Sequence, residues 1–101
     1  MEKMDFSPDG LQNTPLETKM GVAKRLRERR KEYHWSMEEL AKRSGVTYAS
    51  LKRFEETGEI SFSSLILLAW TLGYLEDFDG VLSKRHYGSM EELLDENHKA
   101  K

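Results

Sequence analysis

The sequence contains no cysteine and no long apolar run. Without cysteine, disulfide frameworks, thiolate zinc sites and cysteine nucleophiles are all excluded. The longest strongly apolar stretch, residues 65–72, is too short to span a bilayer. The first four residues, Met1-Glu2-Lys3-Met4, lack the apolar core of a signal peptide. We therefore expect a cytoplasmic protein that has no membrane partner.

Motifs for catalysis and for metal binding are also missing from the sequence. The three histidines, His34, His86 and His98, are widely spread along the chain and do not form a recognisable metal-ligand motif. No serine belongs to a nucleophile motif, and neither a phosphate-binding loop nor a dinucleotide fingerprint is present. We expect that the protein is not an enzyme and that it needs neither a metal nor a cofactor.

Charge is abundant but unevenly placed along the chain. The formal net charge is −2. Residues 1–18 carry one base and four acids, residues 19–53 carry eleven bases and four acids, and residues 54–101 carry four bases and ten acids. Attraction to phosphate is screened beyond about 10 Å at 0.1 M salt, so a local excess of positive charge matters more than the net charge of the chain. The balance of +7 in the middle segment therefore indicates phosphate binding. The alternative for the basic run at residues 24–31 is an ordinary solvated helical face.

The length and the 38% hydrophobic content allow one modest core. We expect a flexible acidic arm over residues 1–15, a single domain over residues 16–83 and a C-terminal helical tail over residues 84–101. A helix is predicted from about Leu16 to Tyr33, since Val22 and Leu26 stand four apart among charged residues. No strand pattern is visible, so the fold class is all-α.

Four further helices and a tail helix follow from capping and turn residues. Ser36 with Glu39 forms a capping-box pattern, and Gly45 ends that helix. The next two helices are capped by Thr47 and Ser61 and end at Gly58 and Gly73. A short fifth helix is predicted from the apolar residues Leu75, Phe78, Val81 and Leu82. Ser89 with Glu92 opens a last helix around residues 90–97.

The most informative segment is a helix, a tight glycine turn and a second helix over residues 36–55. Small Ala41 allows two helices to cross closely, Gly45 makes the turn, and Val46 and Leu51 fill the angle between the helices. These are the requirements of a helix-turn-helix unit, whose second helix enters the DNA major groove. Along that second helix, Arg53 is suited to bind guanine O6 and N7.

The sequence here resembles the Cro/repressor-type (XRE-like) helix-turn-helix regulators. The resemblance covers about residues 20–73 and is carried by Leu40-Ala41, Gly45-Val46, Leu51, Phe54-Glu55 and Leu65. It implies a compact five-helix, lambda-repressor-like DNA-binding bundle, here with a short C-terminal helical extension. It also implies a homodimer that binds a palindromic operator in double-stranded DNA, and we expect a repressor.

The resemblance also implies roles for individual residues. The positions matching the family's base readers are Tyr48, Ala49 and Arg53. The positions matching its contacts to the DNA backbone are Met37, where the family commonly has glutamine, and Thr47, Ser50 and Lys52. Charge and position on the chain add Arg43, Lys24 and Arg27 as candidate phosphate contacts. The alternative for Arg53 is a surface ion pair with Glu56.

The apolar residues of the C-terminal third allow two interpretations. They complete the core of the monomer, or they form a two-fold dimer or partner interface: Trp70, Tyr74, Leu75, Phe78, Val81 and Leu82. Residues 72–79 and 87–94 also resemble the tails of small regulators encoded beside kinase-type toxins of the HipA class, which implies an antitoxin with a toxin partner. The remaining alternative is a protein-interaction adaptor that does not read DNA.

Overall fold

The computed structural model describes residues 14–86 of the chain. Over this range it contains four α-helices: α1 (Pro15–Glu32), α2 (Met37–Ser44), α3 (Tyr48–Thr57) and α4 (Phe62–Leu72). A 3-10 turn, Leu75–Phe78, follows α4. None of the helices in this range has the length and hydrophobicity that a membrane crossing requires. The acidic arm up to residue 13 and the predicted tail helix at residues 90–97 lie outside the described residues.

Capping explains where the helices begin and end. The side chains of Ser36, Thr47 and Ser61 each accept a hydrogen bond from the backbone N–H three residues later. Gly45, Gly58 and Gly73 end the same three helices in the left-handed conformation. These predicted caps and stops are confirmed. They satisfy backbone groups that a helix leaves unpaired at its ends.

One predicted helix start, the capping box of Ser36 and Glu39, differs from the structure, and a reciprocal capping box that was not predicted begins α1. The reciprocal capping box lies at Thr14 and Glu17, where the Thr14 N–H donates to Glu17 Oε1 at 3.0 Å and the Glu17 N–H donates to Thr14 Oγ1 at 3.1 Å. At α2, Ser36 accepts from the Glu39 N–H, but the Glu39 carboxylate pairs with Arg43. The carboxylate binds Arg43 because residues four apart adjoin on a helix and carry opposite charges.

The predicted fifth helix is wrong. Residues Leu75 and Phe78 belong to a 3-10 turn of four residues, and the chain then continues through turns. Leu75, Phe78 and Val81 recur every three residues, which matches the three residues per turn of a 3-10 helix better than the α-helical repeat. Leu82 has φ +60° and is 96% exposed. Its left-handed conformation is incompatible with a continuing α-helix.

One apolar core joins the four helices. Its fully buried large side chains are Leu40, Leu51, Phe54 and Leu68. The α1 helix packs mainly on α3, while α2 packs on both α3 and α4. Both α1 and α2 pack against the same side of α3, so the opposite side of α3 is exposed to solvent.

Candidate nucleic-acid interface

The exposed side of α3 is the candidate interface. Leu51 and Phe54 are almost fully buried, at 0% and 1% exposure, and fix the helix to the core. The opposite side exposes the residues predicted to contact bases or phosphates: Tyr48, Ala49, Ser50, Lys52 and Arg53. Thr47 anchors the helix start, since its Oγ1 accepts from the Ser50 N–H at 3.1 Å. The predicted recognition residues are therefore brought together on one rigid helical surface.

The Arg53 guanidinium group acts on Glu59 only at a distance: the pKa of the Glu59 carboxyl is lowered chiefly by Lys19 and also by the charge of Arg53. Within residues 14–86 the Arg53 side chain takes part in no hydrogen bond or ion pair, and only its backbone carbonyl accepts a bond, from Thr57 Oγ1 at 2.8 Å. The predicted alternative, an ion pair with Glu56, is not formed, because Glu56 pairs with Lys52. Five guanidinium N–H donors are thus available for an external acceptor such as a base edge.

Lys52 is charged but shared with Glu56. Its Nζ lies 2.7 Å from Glu56 Oε2, one helical turn along α3. The hydrogen bond to Glu56, together with the attraction of its negative charge, raises the pKa of the Lys52 ammonium. The pair is exposed, so it is easily exchanged for another partner. A phosphate oxygen would compete with Glu56 for the same ammonium group.

A shallow concavity beside α3 gathers three of the predicted backbone-contacting residues. It has a volume of about 220 Å³ and is lined by Arg27, Met37 and Lys52, with Arg30, Glu55 and Glu56. Met37 is half-buried and packs against the core. The Met37 thioether has no hydrogen-bond donor, so Met37 would contribute to a phosphate site through its backbone N–H at the start of α2. Lys24, although exposed on α1, does not line this concavity.

Arg43 is positioned by two groups at the edge of α2, Glu39 and Trp35. Its Nε lies 2.7 Å from Glu39 Oε2, and its guanidinium carbon lies 4.4 Å above the Trp35 ring centroid. The Trp35 ring is itself stacked on Tyr33 at 4.4 Å. Stacking on an aromatic face leaves the guanidinium edges half-exposed and orients them, which suits a phosphate contact.

A buried ion pair that the sequence pattern does not reveal orients α3. Arg30 Nε and Nη2 lie 2.8 and 2.9 Å from the two carboxylate oxygens of Glu55, and Arg30 Nη1 donates to the Trp35 carbonyl at 2.8 Å. The two side chains are only 9% and 7% exposed. This network ties α1 to α3 and to the segment before α2. Within a run of basic residues, no local pattern distinguishes Arg30 from its exposed neighbours.

The predicted interface residues of the C-terminal third fall on two surfaces. Tyr74, Phe78 and Val81 line a groove against α1. Trp70, 66% exposed, lies instead beside Trp35, Arg43 and Thr71. Trp70 therefore does not line the groove formed by these three residues.

The exposed apolar strip of α4 is formed by residues four apart. Phe62 and Trp70 are 65% and 66% exposed, and half-buried Ile66 lies between them along the helix. Phe62 touches Phe78 edge-on, with ring centroids 6.1 Å apart, so the strip reaches the 3-10 turn. Leu75 and Leu82, predicted for the same interface, are also exposed.

These features define a helix-turn-helix unit: a capped positioning helix, a left-handed glycine turn and a second helix with a basic outer side. In agreement, a helix-turn-helix family model matches residues 26–78, more than half of the chain. The protein belongs to the helix-turn-helix family, as a Cro/XRE-type DNA-binding regulator. Neither the curated proteins nor the solved structures contain a significant match to the chain.

Proposed function

We propose that this protein is a sequence-specific repressor that binds a palindromic operator as a homodimer. The observation that carries the proposal is the outer side of α3, where Arg53 is exposed and unpaired among residues 14–86 while Leu51 and Phe54 lock the opposite side. A rigid helix with a free guanidinium group can bind O6 and N7 of a guanine, the commonest specific contact in the major groove. Bound at a promoter, such a protein excludes other proteins from the same stretch of duplex.

The roles within the interface follow from position and chemistry. Arg53 reads a base, and Ala49 is small enough to pack against a thymine methyl group. Tyr48 lies near the start of α3 and contacts the groove wall or a phosphate. The phosphate contacts come from groups at the starts of α2 and α3 and from basic side chains around them. They are Met37 through its N–H, Thr47, Ser50, Lys52, Arg43, Lys24 and Arg27. Phosphate contacts supply affinity and register, while base contacts supply specificity.

The dimer is supported by the apolar strip of α4. Phe62, Ile66 and Trp70 form a continuous strip that no described residue covers fully. A two-fold axis through such a strip would hold two copies of α3 on one face of the DNA, about 34 Å apart. The strip is also the surface that a toxin or another protein partner would need if the chain acted as an antitoxin or an adaptor.

The proposal is tested with Arg53→Ala on the operator obtained by selection from random duplex DNA. We expect a loss of about 1–3 kcal/mol on the preferred operator and relaxed specificity at one base position in each half-site. Lys31→Ala is the matched control, because it removes a basic side chain that is exposed on α1 and is not among the predicted DNA contacts. If Arg53→Ala weakens binding equally for all sequences, Arg53 is a phosphate contact and the assignment of base reading is wrong.

A further inference from the structure

A second groove, which shares no lining residue with the 220 Å³ concavity, has no role in the proposed DNA binding. It lies between α1, α4 and the 3-10 turn and has a volume of about 340 Å³. Val22, Leu65 and Ala69 form part of its apolar lining, and Phe78 and Val81 line it from the C-terminal end. This volume falls within the range of clefts that hold a ligand or a short peptide segment.

Two arginines give the groove a positive edge. Arg25 and Arg29 line it from α1, whereas the acidic residue in the lining is Asp77. The Arg25 guanidinium lies along α1 over Gly21 and forms no ion pair within residues 14–86. Arg29 Nη2 pairs with Glu32 at 2.9 Å, but its buried Nε–H has no acceptor among the described residues. An apolar groove with unused guanidinium donors fits an apolar segment that carries carboxylates.

The chain itself supplies a segment with this composition. Residues 89–97 read Ser-Met-Glu-Glu-Leu-Leu-Asp-Glu-Asn, with four acids and no base. Met90, Leu93 and Leu94 are spaced at i, i+3 and i+4, which would place them on one side if the segment were helical. Met90 follows Val81, in the groove lining, by nine positions, and such a length of chain can span up to about 30 Å. The segment can therefore reach back to the groove.

We propose that the acidic segment 89–97 docks into the α1–α4 groove of its own chain. Its leucines cover the apolar lining, and its carboxylates accept hydrogen bonds from Arg25 and Arg29. An occupant on the same chain is favoured over a second molecule, because a short linker keeps it at an effective concentration of roughly millimolar. The docking leaves the DNA-facing surface open, since Arg27 and Lys52 line the separate 220 Å³ concavity. The inference does not depend on the proposed function.

The absence of cysteine allows a direct test on the full chain. A nitroxide spin label is attached to Asn97→Cys, and amide peak intensities are measured by NMR before and after reduction of the label. We expect a selective loss of intensity at Val22, Ala69 and Phe78, with intensity preserved at Ala49 on the DNA-facing side. Arg25→Glu/Arg29→Glu should restore the lost intensities, and so should 1 M salt, which screens charge beyond about 3 Å.

Matched variants separate docking from general electrostatics. Lys24→Glu/Lys31→Glu makes the same change in net charge on exposed residues of α1 outside the groove lining, and it should leave the intensity loss in place. If charge reversal on α1 unfolds the chain, Glu91→Lys/Glu92→Lys tests the same contact from the other side and should restore the intensities. The proposal is overturned by uniform intensities in the labelled chain, or by an equal effect of both α1 variants. It is equally overturned if the loss appears only when spin-labelled and isotope-labelled chains are mixed, because the segment then binds another copy.

Discussion

The Arg30–Glu55 pair offers the sharpest test of how α3 is held in place. Replacing Glu55 with leucine leaves the Arg30 guanidinium buried with only the Trp35 carbonyl as a partner. Replacing Arg30 with methionine leaves the Glu55 carboxylate buried without its partner. Each change removes one half of a bidentate pair whose side chains are less than one-tenth exposed.

The expected magnitude follows from the burial of the pair. Breaking a buried ion pair by removing one partner costs about 3–5 kcal/mol, because the remaining charge is uncompensated. A surface pair would cost only about 0–1 kcal/mol. The double variant Arg30→Met/Glu55→Leu removes both charges, and replacement of a whole buried pair by apolar residues is often nearly neutral. We therefore expect the double variant to be more stable than either single variant.

The assay is urea denaturation of the two single variants, the double variant and the unmodified chain, followed by far-UV circular dichroism. Since small domains have a free energy of unfolding of only about 5–15 kcal/mol, either single variant can fall below the folding threshold. The milder Glu55→Gln, which keeps one acceptor oxygen, then provides a measurable intermediate. The reasoning is refuted if the single variants lose less than about 1 kcal/mol, or if the double variant loses the sum of both.

Three further predictions concern a turn, an ion pair and the dimer. In urea denaturation, Gly58→Ala should destabilise the protein more than the control Gly45→Ala. Both glycines have positive φ, so alanine costs about 1–2 kcal/mol at either position, but a Cβ at residue 58 would lie 2.9 Å from the Lys19 Cβ, whereas a Cβ at residue 45 meets open space. Equal losses of stability would contradict this. Glu56→Gln should raise DNA affinity, because a phosphate then no longer competes with Glu56 for Lys52. Lys52→Gln should make the log–log salt slope of DNA binding shallower by about 0.9 in fluorescence anisotropy, and an unchanged slope would exclude that contact. Trp70→Glu should give a folded monomer by analytical ultracentrifugation, because the 66% exposed side chain lies on the proposed dimer strip, and a dimer that persists in this variant would contradict that interface.

Local signals in the sequence were sufficient for most of the fold. Helix caps and stops are predictable from adjacent residues, because they depend on hydrogen bonds and φ angles within a single turn. Examples are the caps at Ser36, Thr47 and Ser61 and the stops at Gly45 and Gly58. Buried Leu51 and Phe54 follow from helical spacing in the same way. The exposed side of α3, which carries the candidate base readers, is the complement of that buried stripe.

Features that depend on distant residues were not predictable in the same way. Glu55 is 25 positions from Arg30, so their pairing requires the packing of α1 on α3. The separation of Trp70 from the 3-10 turn likewise depends on which side of α4 faces each neighbour. By contrast, the Thr14–Glu17 capping box is a local Thr-x-x-Glu pattern, so adjacent residues are sufficient to predict that α1 begins here.

The central claim, sequence-specific reading by a symmetric pair of α3 helices, is tested most directly by selecting binding sites from random duplex DNA. The purified full chain is used at about 0.15 M salt, where non-specific phosphate binding is weak. We predict enrichment of an inverted repeat whose half-site centres lie about one helical turn apart, with a guanine that becomes dispensable in Arg53→Ala. Enrichment of no sequence, together with no binding at low salt, would contradict the claim and favour a protein-interaction adaptor.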